Sequence, residues 1–196
     1  MDLIRYWVAV LLLVAIPAAI LYWLLIHPFA RFWRRLGTVR AYSAVCAVLL
    51  VVMKALFLGR DRILVGQWGT SRLLVALGII CLAGSAWLQR LLIRDLPIRV
   101  LVGIPELSAG PEKGTLITTG IYGKIRHPRY LQMDLALLGY ALIANYPAVY
   151  LLYALWLVGI RLVVVLEERE LEARFGEEYR RYRERVPRFI PRIGPR

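Results

Sequence analysis

Two short groups of charged residues are the parts of this sequence best suited to chemistry. The first is Arg126-His127-Pro128-Arg129-Tyr130, in which a guanidinium and an imidazole stand directly before a proline. Proline favours the first position of a helix and holds the preceding residue in an extended conformation, so we expect Arg126 and His127 at the mouth of a helix. The free N–H groups of that helix, together with the guanidinium, would bind a carboxylate. The alternative is that these basic residues only cap a membrane helix.

The second group, Glu167 and Glu168, directly follows a long apolar run. Carboxylates at such a depth in a membrane are costly unless they pair with a cation or bind one. Arg161 lies seven residues before Glu168, on about the same helix face, so an ion pair within the chain is one explanation. The other explanation is a site for a cation and hydroxyl groups. A basic helix mouth beside an acidic pair suits a zwitterionic ligand, and composition does not choose among zwitterions.

Other ligand-binding patterns are missing from the sequence. It contains neither the GxGxxG motif nor the phosphate loop of nucleotide-binding domains. The chain has only two histidines, His27 and His127, so we expect no metal site. Its two cysteines, Cys46 and Cys81, lie inside apolar runs and are predicted to be small buried hydrophobic residues.

Composition indicates that these motifs belong to a membrane protein. The chain has 196 residues and is 60% hydrophobic, whereas a soluble domain is about 45–50% apolar. Its net charge is +13, and among its 26 basic residues only Lys54, Lys113 and Lys124 are lysines. The basic residues lie between long apolar runs, as in the cytoplasmic loops of membrane proteins, and this distribution argues against binding of nucleic acid.

The apolar runs predict an all-α membrane protein with about five transmembrane helices. The first three runs are residues 6–30, 41–59 and 73–89, the last extendable to 93. The first run is too long for a cleaved signal peptide and is predicted to be a retained span. The last run, residues 131–166, would be about 54 Å long as one helix, and Asn145-Tyr146-Pro147 near its middle is a turn signal. We therefore predict a helical hairpin; one kinked helix is the alternative.

The remaining segments complete a C-terminal core, residues 94–196, that follows the three N-terminal spans in residues 1–93. Residues 94–129 are polar and rich in turn-forming residues, which predicts a long loop. From Glu167 onward, apolar residues recur at spacings of three and four, which predicts an amphipathic helix at the membrane surface. The residues of its apolar face are Leu171, Phe175, Tyr179, Tyr182 and Val186.

The charges of the loops predict the orientation of the spans. The loop at residues 31–40, the loop at residues 94–129 and the C-terminal tail are rich in arginine. With five spans and the N-terminus outside, all three face the cytoplasm, as the positive-inside rule requires. We therefore expect the site to face the cytoplasm.

The motifs of the C-terminal half resemble the isoprenylcysteine carboxyl methyltransferase family. The resemblance rests on Gly114-Thr-Leu-Ile-Thr-Thr-Gly-Ile-Tyr122, Arg126-His-Pro-Arg-Tyr130, Glu167-Glu168, Phe175-Gly-Glu-Glu-Tyr179-Arg-Arg-Tyr182 and Arg185-Val-Pro-Arg-Phe-Ile-Pro191. An Arg-His-Pro-x-Tyr motif followed some three dozen residues later by Glu-Glu is typical of the wider group of integral-membrane methyltransferases, which includes phospholipid N-methyltransferases. In two places the sequence departs from the family: Gly114 replaces a histidine, and Tyr146 is inserted in the Asn-Pro turn.

The resemblance implies a cofactor, S-adenosylmethionine, and a set of residues around it. The residues implied to bind the cofactor are Leu116, Gly120, Tyr122, Arg126, His127, Pro128, Tyr130, Glu167 and Glu168. Catalytic roles fall on Arg161, which would steer an anionic acceptor, on Glu167, and on Asn145, which would orient the substrate. A turn-forming role is the alternative for Asn145.

The resemblance also implies the reaction, a methyl transfer to the carboxylate of a lipid or isoprenoid-linked substrate that arrives from the bilayer. No obligate protein partner is expected. A carboxylate is favoured over an amine because Arg161 would attract an anion and because an amine must first lose a proton. Once His127 and the Glu pair are assigned to the cofactor, Asp134 is the remaining possible base, and a helix-packing role is the alternative for it. A phospholipid N-methyltransferase of the phosphatidylethanolamine type is the alternative within the group. A sterol-reductase-like enzyme that uses NADPH and a non-catalytic membrane protein are the alternatives from other classes.

Overall fold

The computed structural model describes residues 1–26, 29–95 and 115–191, and every regular element in these ranges is helical. The helices are α1 (Asp2–Ile26), α2 (Ala30–Leu36), α3 (Thr38–Leu58), α4 (Arg60–Ile63), α5 (Arg72–Asp95), α6 (Pro128–Ala144), α7 (Pro147–Phe175) and α8 (Glu177–Arg185). A single 3₁₀ turn, Gly120–Gly123, precedes α6. Most of the predicted long loop, including Gly114, lies outside the described residues.

The predicted all-α membrane architecture is confirmed. Four helices in the described ranges, α1, α3, α5 and α7, are long and apolar enough to cross a bilayer. The fifth predicted span is α6, which has 17 residues. At 1.5 Å per residue α6 is about 26 Å long, slightly shorter than a hydrocarbon core of about 30 Å.

The predicted hairpin is also confirmed, and the alternative of one kinked helix is wrong. Helix α6 ends at Ala144, and Asn145 follows in the left-handed conformation with φ +54°. Tyr146 is extended, and Pro147 is the first residue of α7. Asparagine tolerates the left-handed conformation better than most residues, and proline suits a helix start, so local chemistry explains this turn.

The amphipathic C-terminal segment differs from the prediction in its boundaries. Helix α7 continues through Glu167 and Glu168 without a break and ends only at Phe175, where Gly176 adopts φ +60°. The change from apolar to polar residues therefore changes the surroundings of the helix without ending it. Helix α8 folds back on α7, since Arg180 and Arg183 both donate to Glu172. The predicted apolar face is confirmed as one cluster, to which Leu116 is added: Tyr179, Tyr182 and Val186 are buried, and Leu116, Leu171 and Phe175 pack against them.

Helix α6 is held most closely by α5. A Cβ atom added to Gly78 of α5 would lie 2.7 Å from the carbonyl oxygen of Gly139, so the two backbones are nearly in contact. Ser85 donates to the carbonyl of Gln132 at 3.0 Å, and the Gln132 amide donates to the Ser85 hydroxyl at 2.8 Å. Small residues and interhelical hydrogen bonds are the usual means of helix association in lipid.

Helix α1 packs against α3, α6 and α7 and provides much of the buried apolar core. The outer faces of α3 and α5 expose large apolar side chains, including Leu50, Val51, Ile79 and Ile80, as expected for surfaces that face lipid. The prediction that both cysteines are buried is wrong: Cys46 is exposed on α3 and Cys81 is only partly buried on α5. Lipid solvates such side chains, so an apolar run does not imply burial within the protein.

Candidate functional site

The mouth of α6 has the predicted form. His127 is the N-cap residue and Pro128 is the first residue of the helix. The N–H of Arg126 donates to the carbonyl of Pro187 at 2.8 Å, and the N–H of His127 donates to the carbonyl of Arg188 at 3.0 Å. The chain segment after α8 is therefore paired with the backbone of the motif, which brings Pro187 and Arg188 to the helix mouth.

Glu168 lies at the centre of the site and joins the two predicted motifs. Arg126 Nη2 donates to Glu168 Oε1 at 2.8 Å, and His127 Nε2 lies 3.1 Å from the same oxygen. Arg188 donates through Nε to Oε1 at 3.1 Å and through Nη2 to Oε2 at 2.7 Å. Arg126, His127 and Glu168 are all buried, whereas the Arg188 side chain is 49% exposed. We call these four residues the Glu168 network.

The network changes the expected charge arrangement. The sequence suggests a basic subsite and a separate acidic subsite, whereas Arg126 and Glu168 are directly bonded to each other. Removal of Glu168 would leave the buried Arg126 without its ionic partner, whereas removal of Arg126 would leave Glu168 bonded to Arg188. The hydrogen bond from Arg188 to Glu168 raises the pKa of the Arg188 guanidinium, so this group stays charged in the network.

The explanation of Glu168 by an ion pair with Arg161 is wrong. Arg161 is exposed on α7 and has no hydrogen bond or ion pair within the described part of the chain. Two helical turns separate the residues by about 10 Å along the axis, and the guanidinium groups of Arg126 and Arg188 contact Glu168 instead. The structure does not bring Arg161 into the network.

Three buried polar atoms beside the network have no hydrogen-bond partner within the described ranges: Arg126 Nε, Glu167 Oε2 and the Tyr179 hydroxyl. His127 Nδ1 lies 3.8 Å from Glu167 Oε2, which is too far for a hydrogen bond. Buried polar groups are nearly always paired in folded proteins, and exceptions need an explanation. A donor, an acceptor and a hydroxyl in one place suit a ligand with complementary polar groups.

Two tyrosines of α8 contribute neutral hydroxyl groups. Burial raises the pKa of Tyr182 to about 12, and its hydroxyl donates to the carbonyl of Tyr122 at 2.8 Å. Burial, together with the charge of Glu168, also raises the pKa of Tyr179. Both hydroxyls therefore stay protonated at neutral pH, but only that of Tyr179 is left for a ligand.

The described end of the loop supplies further residues that the sequence implicates. Leu116 packs against the cluster of Tyr179, Tyr182 and Val186. Gly120 has φ +59°, a left-handed conformation that favours glycine, and it opens the 3₁₀ turn that contains Tyr122. These contacts place the loop against α8, beside the Glu168 network.

Aromatic rings cover the apolar side of the helix mouth. The rings of His127 and Tyr130 are stacked with centroids 5.8 Å apart, and Phe189 lies 6.0 Å from His127. Tyr130 is buried and meets the edge of Trp23 from α1. Pro128 is buried at the first helical position. His127 is therefore held between the charged network and an aromatic wall.

The structure separates Asn145 from the other predicted site residues. Asn145 follows the opposite end of α6, about 25 Å from Pro128 along the helix axis. Its amide nitrogen donates to the carbonyl of Gly69 at 2.9 Å, and its amide oxygen accepts from Tyr150 at 3.0 Å. These contacts are those of a buried turn residue.

Sequence reasoning missed Arg188 and Tyr179 as members of the site. Arg188 lies in the closing Arg185–Pro191 segment that contributed to the resemblance, and a buried carboxylate needs cationic partners. Tyr179 was assigned only to an apolar helix face. A phenol at a buried position with no hydrogen-bond partner is visible only once the structure is known.

Comparison with known proteins agrees with the wider group of membrane methyltransferases indicated by the motifs. A family model described as phospholipid methyltransferase matches residues 73–178, which is more than half of the chain. The matched segment contains α6, nearly all of α5, all of α7, the Arg126–Tyr130 motif and the Glu pair. It does not single out the isoprenylcysteine branch of the group. The chain matches no curated protein and no solved structure.

Proposed function

Because the chain belongs to the phospholipid methyltransferase family, we propose that it transfers methyl groups to the amine nitrogen of a phospholipid head group. Membership of the family makes the chain a membrane methyltransferase that uses S-adenosylmethionine. The amine acceptor and the residues that act on it belong to the proposal. The observation that carries the site is the Glu168 network with its three unpartnered atoms.

The unpartnered atoms fit the polar groups of the cofactor. Arg126 Nε would donate to the carboxylate of its amino-acid end, and Glu167 Oε2 would accept from its ammonium group or a ribose hydroxyl. The Tyr179 hydroxyl can serve either kind of group. When bound, the cofactor supplies an activated methyl group. The Glu168 network would keep Arg126 and His127 in place before the cofactor binds.

The preference for a carboxylate acceptor rested on two arguments, and the structure weakens both. Arg161 does not join the charged cluster around Glu168, so it favours a carboxylate acceptor no more than the phosphate of a phospholipid. Asp134 takes no part in the Glu168 network and stays available as a base. An amine acceptor is therefore compatible with the side chains present, and the family match favours it.

Arg161 retains a role within this proposal. It is an exposed arginine on an otherwise apolar stretch of α7, without a partner in the described residues. An unpaired guanidinium at that depth is costly, and its long side chain can extend toward the lipid head groups. We propose that Arg161 contacts the phosphate of the acceptor lipid, which is the anionic group beside the amine.

Product analysis tests the proposed reaction. The purified protein in detergent micelles would receive isotope-labelled S-adenosylmethionine and phosphatidylethanolamine, and lipids would be analysed by mass spectrometry. We expect label in mono-, di- and trimethylated head groups, stable to mild base. Phosphatidylcholine, whose nitrogen is already fully methylated, is the matched control. Base-labile label on a prenylcysteine analogue, with none on the amine, would overturn the amine proposal, and binding of NADPH in place of S-adenosylmethionine would overturn the assignment of the site.

We further propose that the site faces the cytoplasm. The arginine-rich loops support this orientation, because basic loops face the cytoplasm in membrane proteins. In a variant lacking Cys46 and Cys81, a cysteine beside Arg35 should resist an impermeant thiol reagent in intact cells, and one beside Asp61 should react. The reverse labelling pattern would invert the orientation.

A further inference from the structure

Asp134 is a carboxylate in the membrane part of the protein and does not belong to the Glu168 network. It lies on α6 two turns beyond His127, and its side chain is partly buried. The hydroxyl of Tyr153 on α7 donates to Asp134 Oδ1 at 3.0 Å. Within the described ranges Asp134 has no ion pair.

The surroundings of Asp134 are neutral. The titratable group in contact with it is Tyr153 from α7, and Cys81 from α5 lies near Tyr153. The indole N–H of Trp156 also lies near the carboxylate but does not reach hydrogen-bond geometry, so this buried group has no partner in the described chain. No described element therefore presents a cation to Asp134.

A carboxylate without a cation is expensive in an apolar environment, and an intramembrane ionisable group indicates a functional site by default. The hydrogen bond from Tyr153 joins α6 to α7 but supplies no cation, so packing of these two helices does not account for the charge of Asp134. Asp134 is four residues after Tyr130 and thus on the same helix face, and the Tyr130 ring stacks on His127. A continuous face of α6 therefore leads from the Glu168 network to Asp134.

We propose that Asp134 binds the ammonium group of the acceptor lipid and removes its proton. This inference rests on the proposed amine methylation. The carboxylate takes one proton from the ammonium group, which leaves a neutral amine and a carboxylic acid. The amine lone pair then forms the N–C bond as the C–S bond of the sulfonium breaks. The electron pair of that bond stays on sulfur, and the positive charge moves to the methylated nitrogen.

The environment makes this proton transfer feasible. In water a carboxylate is far too weak a base to deprotonate an alkylammonium, whose pKa is about 10 by analogy with lysine. In a medium of low dielectric constant two charges are disfavoured relative to two neutral groups. The partly buried position of Asp134, among Tyr153, Trp156 and apolar helices, reduces the energy gap between the ion pair and the neutral pair. Tyr153 holds the carboxylate in place as a positioning residue.

Asp134→Asn tests the inference through the pH dependence of kcat/KM with phosphatidylethanolamine. Loss of a general base should lower kcat/KM at pH 7 by about a hundredfold or more. Only the neutral amine can then react, so the rate of the variant should rise about tenfold per pH unit between about pH 6.5 and 8.5. The wild-type profile should be nearly flat over the same range, because the Asp134 carboxylate and the ammonium form are both present. The affinity for S-adenosylmethionine should not change.

Two further variants keep the test decisive. Asp134→Glu retains a carboxylate and should keep a flat pH profile at a reduced rate. This measurement tests the inference even if the Asn variant does not fold. Ser85→Ala removes the two interhelical hydrogen bonds to Gln132 and should lower stability without a change in the pH profile. A flat profile in Asp134→Asn, or a steep one in Asp134→Glu, would overturn the inference. Absence of any amine methylation by the wild-type protein would instead refute the proposed function.

Discussion

A buried arginine lies at each end of α6, and the two ends differ in what their polar groups do. At the N-terminal end, Arg126 bonds to the carboxylate of Glu168 and to the carbonyl of Arg183. At the C-terminal end, Arg5 of α1 donates to the carbonyl of Ala144, the last residue of the helix, at 3.1 Å. The Arg5 side chain is fully buried, more completely than that of Arg126.

The end at Arg5 serves to join elements of the fold. Arg5 also donates to Asp2 and to Thr70, and its guanidinium lies over the ring of Tyr146. It therefore ties α1 and the segment before α5 to the hairpin turn. A cation at a helix C-terminus is also favoured by the helix dipole. At this end of α6, the one buried side-chain atom without a hydrogen-bond partner in the described chain is Arg5 Nη2.

The end at Arg126 concentrates polar groups without partners. Donor, acceptor and hydroxyl atoms from three residues, Arg126, Glu167 and Tyr179, are buried there with no hydrogen-bond partner in the described chain. The comparison teaches that burial of an arginine does not identify a functional site. A set of complementary polar atoms without partners is the more informative sign, because a fold without a ligand gains nothing from leaving them unpaired.

Arg126→Met and Arg5→Met should separate the two ends most clearly. Arg126→Met removes a charged donor from the proposed cofactor site, and we expect S-adenosylmethionine affinity to fall about a hundredfold, the equivalent of about 3 kcal/mol. Arg5→Met should lower the melting temperature and leave the affinity of the folded protein within about twofold of wild type. Isothermal titration and thermal unfolding in detergent measure both quantities. Equal losses of affinity in the two variants would contradict the division between the ends.

Gly139→Ala tests the middle of α6, which both ends depend on. The new Cβ would lie 2.8 Å from the carbonyl oxygen of Gly78, so α5 and α6 must separate. We expect a loss of about 1–3 kcal/mol, as for other overpacked contacts, and a lower melting temperature. Gly84→Ala on α5 is the matched control, since its Cβ would meet only Leu135, at an ordinary 3.6 Å. A Gly84 variant as unstable as the Gly139 variant would show that close packing is not the cause.

Asn145→Ala tests whether the turn end has any part in catalysis. Alanine in the left-handed conformation costs about 1–2 kcal/mol, and the hydrogen bonds to Gly69 and Tyr150 are lost as well. The melting temperature should therefore fall, while kcat and cofactor affinity stay near wild type. Asn145→Gly should recover the backbone part of the loss. A lower kcat at unchanged stability would return Asn145 to the substrate site.

Tyr179→Phe and Tyr182→Phe are expected to give the smallest effects, the first on cofactor affinity and the second on stability. Tyr179 has no hydrogen bond to lose, so its variant should keep full stability and bind S-adenosylmethionine about three- to tenfold more weakly, as for one lost hydrogen bond. Tyr182→Phe loses the bond to the Tyr122 carbonyl and should be destabilised by about 1 kcal/mol with a smaller change in affinity. A loss of stability in Tyr179→Phe together with a loss of affinity in Tyr182→Phe would place the ligand on the other side of α8.

Much of the fold could be predicted because lipid restricts what a chain can do. Every backbone polar group must be satisfied within a spanning segment, so the lengths of apolar runs predict helices directly. Asn145 and Pro147 carry their conformational preferences locally and therefore predict the hairpin turn. Boundaries at polar segments were less predictable, since α7 continues past the Glu pair until Gly176 ends it.

The candidate site was predictable only in part. Arg126 and His127 could be placed at a helix mouth because Pro128 acts on its immediate neighbours. Periodicity brought Arg161 and Glu168 to one helix face, but it contained no information on which guanidinium would reach the carboxylate. Arg188 reaches Glu168 because the backbone of Pro187 and Arg188 pairs with that of Arg126 and His127. Such pairing joins segments that are far apart in the sequence.

The sequence by itself determined the helical membrane architecture, the hairpin and the two charged motifs, because these follow from local propensities and the apolar solvent. Only the tertiary structure decided that Arg126, His127 and Arg188 share the carboxylate of Glu168, and that Asn145 lies at the opposite end of α6. It also decided that Asp134 meets Tyr153 and no cation in the described chain. The physical reason is that these contacts join side chains on different helices, whose relative depth and rotation are set by packing such as that of Gly78 against Gly139.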